Sequence, residues 1–146
     1  MSYLKSGLVA LSVCATVAAV AFAEEKDPTR PRVPAEQRAE AKAFKNPMAK
    51  TPENIAKGKA IYEGKGNCFN CHGLSGKGDG PAGQILNPSP SNFTNPKFHK
   101  HRKDGEMFWV LKHGSPGTQM VPQIGTVITE DEAWLVILYE RSFEGK

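Results

Sequence analysis

The stretch "GNCFNCHG" at residues 66–73 constrains this chain more than any other. It sets two thiols, Cys68 and Cys71, three residues apart and places His72 directly after them. The chain has three cysteines in 146 residues, and the third, Cys14, lies in a different kind of sequence. Residues 1–23, "MSYLKSGLVALSVCATVAAVAFA", carry one positive charge at Lys5, an apolar run from Gly7, and a small-x-small end at Ala21-Phe22-Ala23. This is the layout of a secretory signal peptide, with cleavage expected before Glu24. The run is rich in alanine and short for a bilayer span of about 20 residues; left uncleaved, it would serve as a membrane anchor. After cleavage only Cys68 and Cys71 remain. In an oxidising compartment outside the cytoplasm such a pair becomes a disulfide unless something else occupies it.

Three chemistries compete for the pair. Structural zinc needs four ligands together. Here a second cysteine pair is missing, and His99, His101 and His113 lack a finger-like spacing. A redox dithiol normally opens a helix after a strand in an alternating strand–helix pattern, and this chain has little strand signal. The third chemistry uses every residue. Cys-x-x-Cys-His is the attachment pattern of a c-type haem. The spacing puts both thiols on one side of a helical turn, each thiol adds to one porphyrin vinyl group as a thioether, and the next residue, His72, reaches the iron. One motif implies one haem c, bound through Cys68 and Cys71.

The second axial position has six candidates: Met48, Met107, Met120, His99, His101 and His113. Met107 falls on an i, i+3, i+4 stripe with Val110 and Leu111, an ordinary buried helix face. Met48 lies in a polar stretch and is expected to be loosely packed or exposed. "FHKHRK" around His99 and His101 reads as a solvated basic loop, and His113 as a cation near a helix C-terminus. Met120 sits in "GSPGTQMVPQIG", a Gly/Pro-rich loop where no periodicity makes it core filler. Elimination ranks Met120 first and His113 second. His/Met ligation suits electron transfer, since a thioether favours the reduced iron.

The scaffold is expected to be helical. Thr51 caps a helix over 51–63 that begins at Pro52. Ile55, Gly58 and Tyr62 share one of its faces. A glycine inside a helix costs about 1 kcal/mol against alanine, so Gly58 is expected to admit a second helix at close range. That partner begins at "TEDE", a capping box of Thr129 and Glu132, and runs through "AWLVILYER" to Arg141. A third helix is expected from about Asp104 to His113, ending at Gly114. Residues 73–98 are too rich in Gly and Pro for a long regular element, but can wrap a flat ligand with Leu86 and Phe93 as apolar contacts. Residues 24–50 are charged, contain proline and have few branched apolar residues. They read as a tether or partly ordered extension, with a short helix possible over 35–45.

From about residue 51 to 146 the chain resembles the class I c-type cytochromes, in their small bacterial monohaem branch. The resemblance is carried by "GKAIYEGKGNCFNCHG", "GKGDGPAG", "GEMFWVLKHGSPGTQMVP" and "DEAWLVILYER". It implies an all-α cytochrome c-like bundle around one covalent haem with crossed N- and C-terminal helices. It implies thioethers at Cys68 and Cys71 and axial ligands His72 and Met120. It also implies a proline carbonyl accepting the outer N–H of the proximal imidazole, with Pro81 the first candidate and Pro88 the second. Here Val121 separates Met120 from Pro122, where family members often have proline directly after the methionine.

With both axial positions filled, the expected function is one-electron transfer between redox proteins in the periplasm, with no small-molecule substrate. The alternatives are a haem-bearing subunit of a larger oxidoreductase, or a gas-binding or peroxidase-like protein with a labile Met120. The net charge of +4 becomes +3 once Lys5 leaves with the signal. That is enough to steer docking onto an acidic partner and too mixed to argue for nucleic acid. Lys77, Lys97, Lys100, Arg102 and Lys103 are the expected docking rim.

Overall fold

The computed structural model describes residues 27–146; the expected signal peptide at 1–23 lies outside them. Among the described residues there are six α-helices and no β-strand. They are α1 (Arg38–Ala43), α2 (Pro52–Glu63), α3 (Phe69–His72), α4 (Pro96–His101), α5 (Asp104–His113) and α6 (Glu130–Arg141), with 3₁₀ turns at Ala35–Gln37 and Gly83–Ile85. The fold is the all-α bundle expected from the sequence.

The long helices begin where local chemistry starts them. Thr51 Oγ1 accepts from Asn54 N at 3.2 Å, and Pro52 supplies the fixed φ of the first turn. At α6, Thr129 Oγ1 accepts from Glu132 N at 3.3 Å while Glu132 Oε2 accepts from Thr129 N at 2.9 Å, which satisfies two otherwise orphaned donors. α5 ends at Gly114, whose φ of 79° suits glycine.

α2 and α6 cross, and Gly58 sits at the crossing. A Cβ there would run into the Leu135 carbonyl and come within 3.1 Å of Tyr139 Cβ. Around this contact Tyr62, fully buried, meets Tyr139 edge-on at 5.2 Å and Phe143 at 5.9 Å. α5 also packs on α6, where Phe108 stacks on Trp134 at 4.1 Å.

Residues 27–50 pack on the bundle rather than trailing as a tether, and the short helix expected over 35–45 is present as the 3₁₀ turn and α1. Val33 and Ala41 are buried, and α1 packs on α5 so closely that a Cβ at Gly105 would strike the Ala41 carbonyl. The segment is also bonded in place. Asn46 Nδ2 donates to Trp134 O at 3.1 Å, Trp109 Nε1 donates to Gln37 Oε1 at 2.8 Å, and Arg102 Nη2 donates to Arg30 O at 2.8 Å. Its few apolar residues suffice because polar side chains reach across to backbone carbonyls, an interaction that leaves no hydrophobic pattern.

The stretch "FHKHRK" also departs from expectation. Residues 96–101 form α4, capped by Asn95 with Pro96 in its first turn. His99 is buried rather than solvated. Arg141 Nη1 donates to its Nδ1 at 3.0 Å, so the ring is neutral and its Nε2–H donates to the Phe93 carbonyl. Burial is also the main force lowering the His99 pKa. Arg141 is anchored in turn by Asp104, with Nε to Oδ1 at 2.8 Å. Arg102, expected on a docking rim, is likewise buried. Lys77, Lys97, Lys100 and Lys103 are exposed.

Candidate functional site: a cavity beside the Cys-x-x-Cys-His turn

Cys68 is the N-cap residue of the single-turn helix α3, and His72 is its last residue. The turn is closed by His72 N donating to Cys68 O at 2.8 Å. Gly73, at φ 76°, then turns the chain away. The loop "GKGDGPAG" folds back over α3 with glycine at the points of contact. Cβ atoms at Gly80 and Gly83 would collide with the carbonyls of Phe69, Asn70 and Cys71. This glycine pattern lets backbone lie directly on the helix that presents the two thiols.

α3 forms part of the wall of a cavity of about 360 Å³. Cys68, Cys71 and His72 line it, as do Leu86 and Phe93 from the long loop, Met107 and Leu111 from α5, and Met120 from the loop before α6. The two expected apolar contacts, Leu86 and Phe93, are therefore both present. Phe93 stacks on the His72 ring at 4.6 Å and 17°. The chain His72–Phe93–His99–Arg141–Asp104 thus ties the imidazole's stacking partner to α5 and α6.

His72 Nδ1 lies 3.2 Å from the Ser91 carbonyl. The expected proline acceptor is corrected accordingly: Pro81 is exposed and does not line the cavity. Pro88 does line it, but Ser91 supplies the oxygen at Nδ1. Any residue's carbonyl can do this, so side-chain identity carried no signal for Ser91. Such an acceptor fixes the tautomer and leaves Nε2 as the ligating nitrogen.

Of the six axial candidates, only Met107 and Met120 line the cavity. His113 is exposed, with its ring against Trp109 at 4.7 Å. His101 is exposed, His99 is committed to Phe93 and Arg141, and Met48 packs partly buried against the core rather than loosely. Met120 is held by its backbone in a tight turn. Its N donates to Thr118 Oγ1 at 3.1 Å, and its O accepts from Ser115 N at 2.8 Å. Val121, the residue standing where proline is common, is 60% exposed and also lines the cavity.

The electrostatics do not suit a redox dithiol. Burial, followed by the nearby Glu140, pushes the Cys68 thiol up to about 12. It stays protonated at neutral pH, whereas a reactive thiolate needs an electropositive setting. Nor, among the described residues, do three or more His, Cys, Asp or Glu side chains converge as a metal cluster. Glu140 also lines the cavity. Burial raises its carboxyl to about 8, with Arg141 opposing the shift and Asp104 adding to it.

A family model described as cytochrome c matches residues 55–143. The chain belongs to the cytochrome c family. The chemistry of that family is electron transfer by covalently bound haem c, and Cys68, Cys71 and His72 carry the spacing of its attachment motif. The residues fit the group. Both thiols and the imidazole face a mainly apolar cavity, and two buried polar atoms of its wall residues, Arg32 Nε and Ser115 Oγ, have no protein partner. Among solved structures, the chain is similar to a chain of the Kuenenia stuttgartiensis reducing HAO-like protein complex. The identity is 32% and the TM-score 0.58, over 67% of this cytochrome and 47% of that chain. This cytochrome therefore spans about half of that neighbour's length. No curated protein matches.

Among the cavity-wall residues that sequence reasoning missed are Arg32, Arg102, Ser115 and Glu140. Arg32 and Arg102 sit in charged runs that read as solvated. Glu140 falls inside the apolar pattern of α6 and looks like an ordinary surface carboxylate. For Ser115 nothing in the sequence distinguished it from a turn residue.

Proposed function

We propose that this cytochrome is an exported one-electron carrier with a single haem c. Cys68 and Cys71 provide the thioether bonds, and His72 and Met120 the axial ligands. The observation that carries this reading is that His72 and Met120 line one cavity with both thiols. The haem supplies one-electron exchange at its iron. The chain's own residues do the rest. Ser91 O and Phe93 orient the His72 ring. Leu86, Met107 and Leu111 exclude water, and a filled coordination sphere leaves no position for a substrate. Met120 is favoured over Met107 because it stands on a turn held by its own backbone, whereas Met107 is buried within the hydrophobic core of α5.

The test is the absorption spectrum of the oxidised protein. Met120→Ala abolishes the far-red methionine-to-iron band. Met107→Ala keeps the band and costs stability, about 2–5 kcal/mol for a buried methionine. The opposite pattern would sink the Met120 assignment.

The solved neighbour belongs to a protein complex, and this favours one second reading: a haem-bearing subunit that passes electrons within an oxidoreductase assembly. Native mass measurement on the exported protein separates the two. A monomer supports the carrier, and a stable assembly with a larger oxidoreductase supports the subunit. The same measurement reports the mature N-terminus and so tests export. Rapid carbon monoxide binding at neutral pH would argue against a closed iron.

A further inference from the structure

The N-terminal segment lies largely outside the region matched to the family, which begins at residue 55, yet it contributes to the cavity wall. Arg32 lines the cavity together with Arg102, which follows α4. Arg102 is 4% exposed and donates through Nη2 to Arg30 O at 2.8 Å and Pro28 O at 3.4 Å. It thereby fastens the segment that carries Arg32. Arg32 Nε is buried and has no partner.

The charges around the two arginines leave them short of an anion. Among the described residues neither makes an ion pair. Burial is the main force lowering the Arg32 pKa, followed by repulsion from Arg102 and Arg30, with only Asp27 opposing. Glu106 and Asp27 partly offset Arg102. Neither acid forms an ion pair with these arginines among the described residues; Glu106 Oε2 accepts from Lys103 N at 2.9 Å, and Asp27 Oδ1 accepts from Thr29 N at 2.8 Å. Two like charges lining one cavity, Arg102 buried and Arg32 half-buried, are costly unless an anion neutralises them. The guanidinium fork fits a carboxylate with two parallel bonds.

We propose that Arg32 and Arg102 form a clamp for the propionate carboxylates of the haem, and that residues 27–34 serve to bring Arg32 to that site. The inference rests on the haem reading above. A haem attached through its vinyl groups offers its propionates at another edge of the ring, away from the thioethers. The clamp completes the haem site with a residue from outside the family domain, and it shields the propionates from water.

The test uses the full-length holoprotein, with haem labelled with carbon-13 at the propionate carboxyls by growth on labelled aminolevulinate. Infrared spectra follow the carboxylate stretch as a function of pH. In the natural protein the propionates stay ionised to low pH. Arg32→Gln raises the pKa of at least one propionate by roughly 1 to 3, the usual effect of losing an adjacent cation. Arg32→Lys, which keeps the charge without the fork, restores part of the shift. Identical titrations for the natural protein and Arg32→Gln, with thioether-linked haem present in both, would overturn the clamp and leave the haem reading intact. A natural protein that carries no haem would overturn both.

Discussion

The α2–α6 crossing and the N-terminal segment are held by opposite means. At the crossing, a glycine lets two backbones meet and buried aromatics fill the space around them. In the segment 27–50, a short helix and two buried apolar residues are helped by long polar side chains that reach backbone carbonyls. The crossing works by shape, so its tolerance for change is small and its failure global. The segment works by separate hydrogen bonds, each worth about 0.5–1.5 kcal/mol net, and its losses should be local and graded.

The largest expected effect breaks the first half of this comparison. Gly58→Val puts branched carbon into the Leu135 carbonyl. We expect a loss of about 3 kcal/mol or more, the upper range for overpacking, read as a lower Cm in urea with covalent haem lost or reduced. A variant as stable as the natural protein would show that the helices do not meet at Gly58.

The next effect concerns pH and belongs to the cavity side of α6. The Glu140 carboxyl, raised from 4.5 to about 8, binds its proton more tightly in the folded chain than in the unfolded one. Its contribution is therefore fully present below about pH 4.5 and is lost as pH rises through about 8. Glu140→Gln removes that fall, so its stability profile is flatter than the natural one across this window, by an amount on the order of a few kcal/mol. Parallel profiles would mean that Glu140 is ionised in the folded protein.

The smallest effect sharpens the second half. Gln37→Ala deletes the exposed bond to Trp109 and should cost no more than about 0.5 kcal/mol. Amide exchange should quicken in residues 35–43 and stay unchanged in α2 and α6. Equal acceleration in all three helices would show that the segment and the crossing unfold as one unit.

Local signals were legible in the sequence wherever neighbouring residues settle them. Thr51-Pro52, Thr129 with Glu132, and His113-Gly114 marked helix ends that the structure reproduces. Gly58 announced a close approach because a helical glycine otherwise only costs stability. The attachment motif was legible because covalent chemistry demands particular atoms at a fixed spacing. The acceptor at Ser91 was not, since every residue offers a carbonyl and only the path of the loop selects one. His99 and Arg102 looked solvated because their neighbours are basic. Their burial depends on Phe93, Arg141 and the segment 27–34, all distant along the chain or on another element.

By itself, then, the sequence determined the long helices α2, α5 and α6, the crossing point and the spacing of the haem attachment motif, because capping, helical periodicity and thioether spacing act over a few residues. Only the tertiary structure decided which carbonyl meets His72, which methionines share its cavity, and where Arg32 and Glu140 stand. Those placements depend on desolvation and on contacts between distant segments, and neither is written in any short stretch of chain.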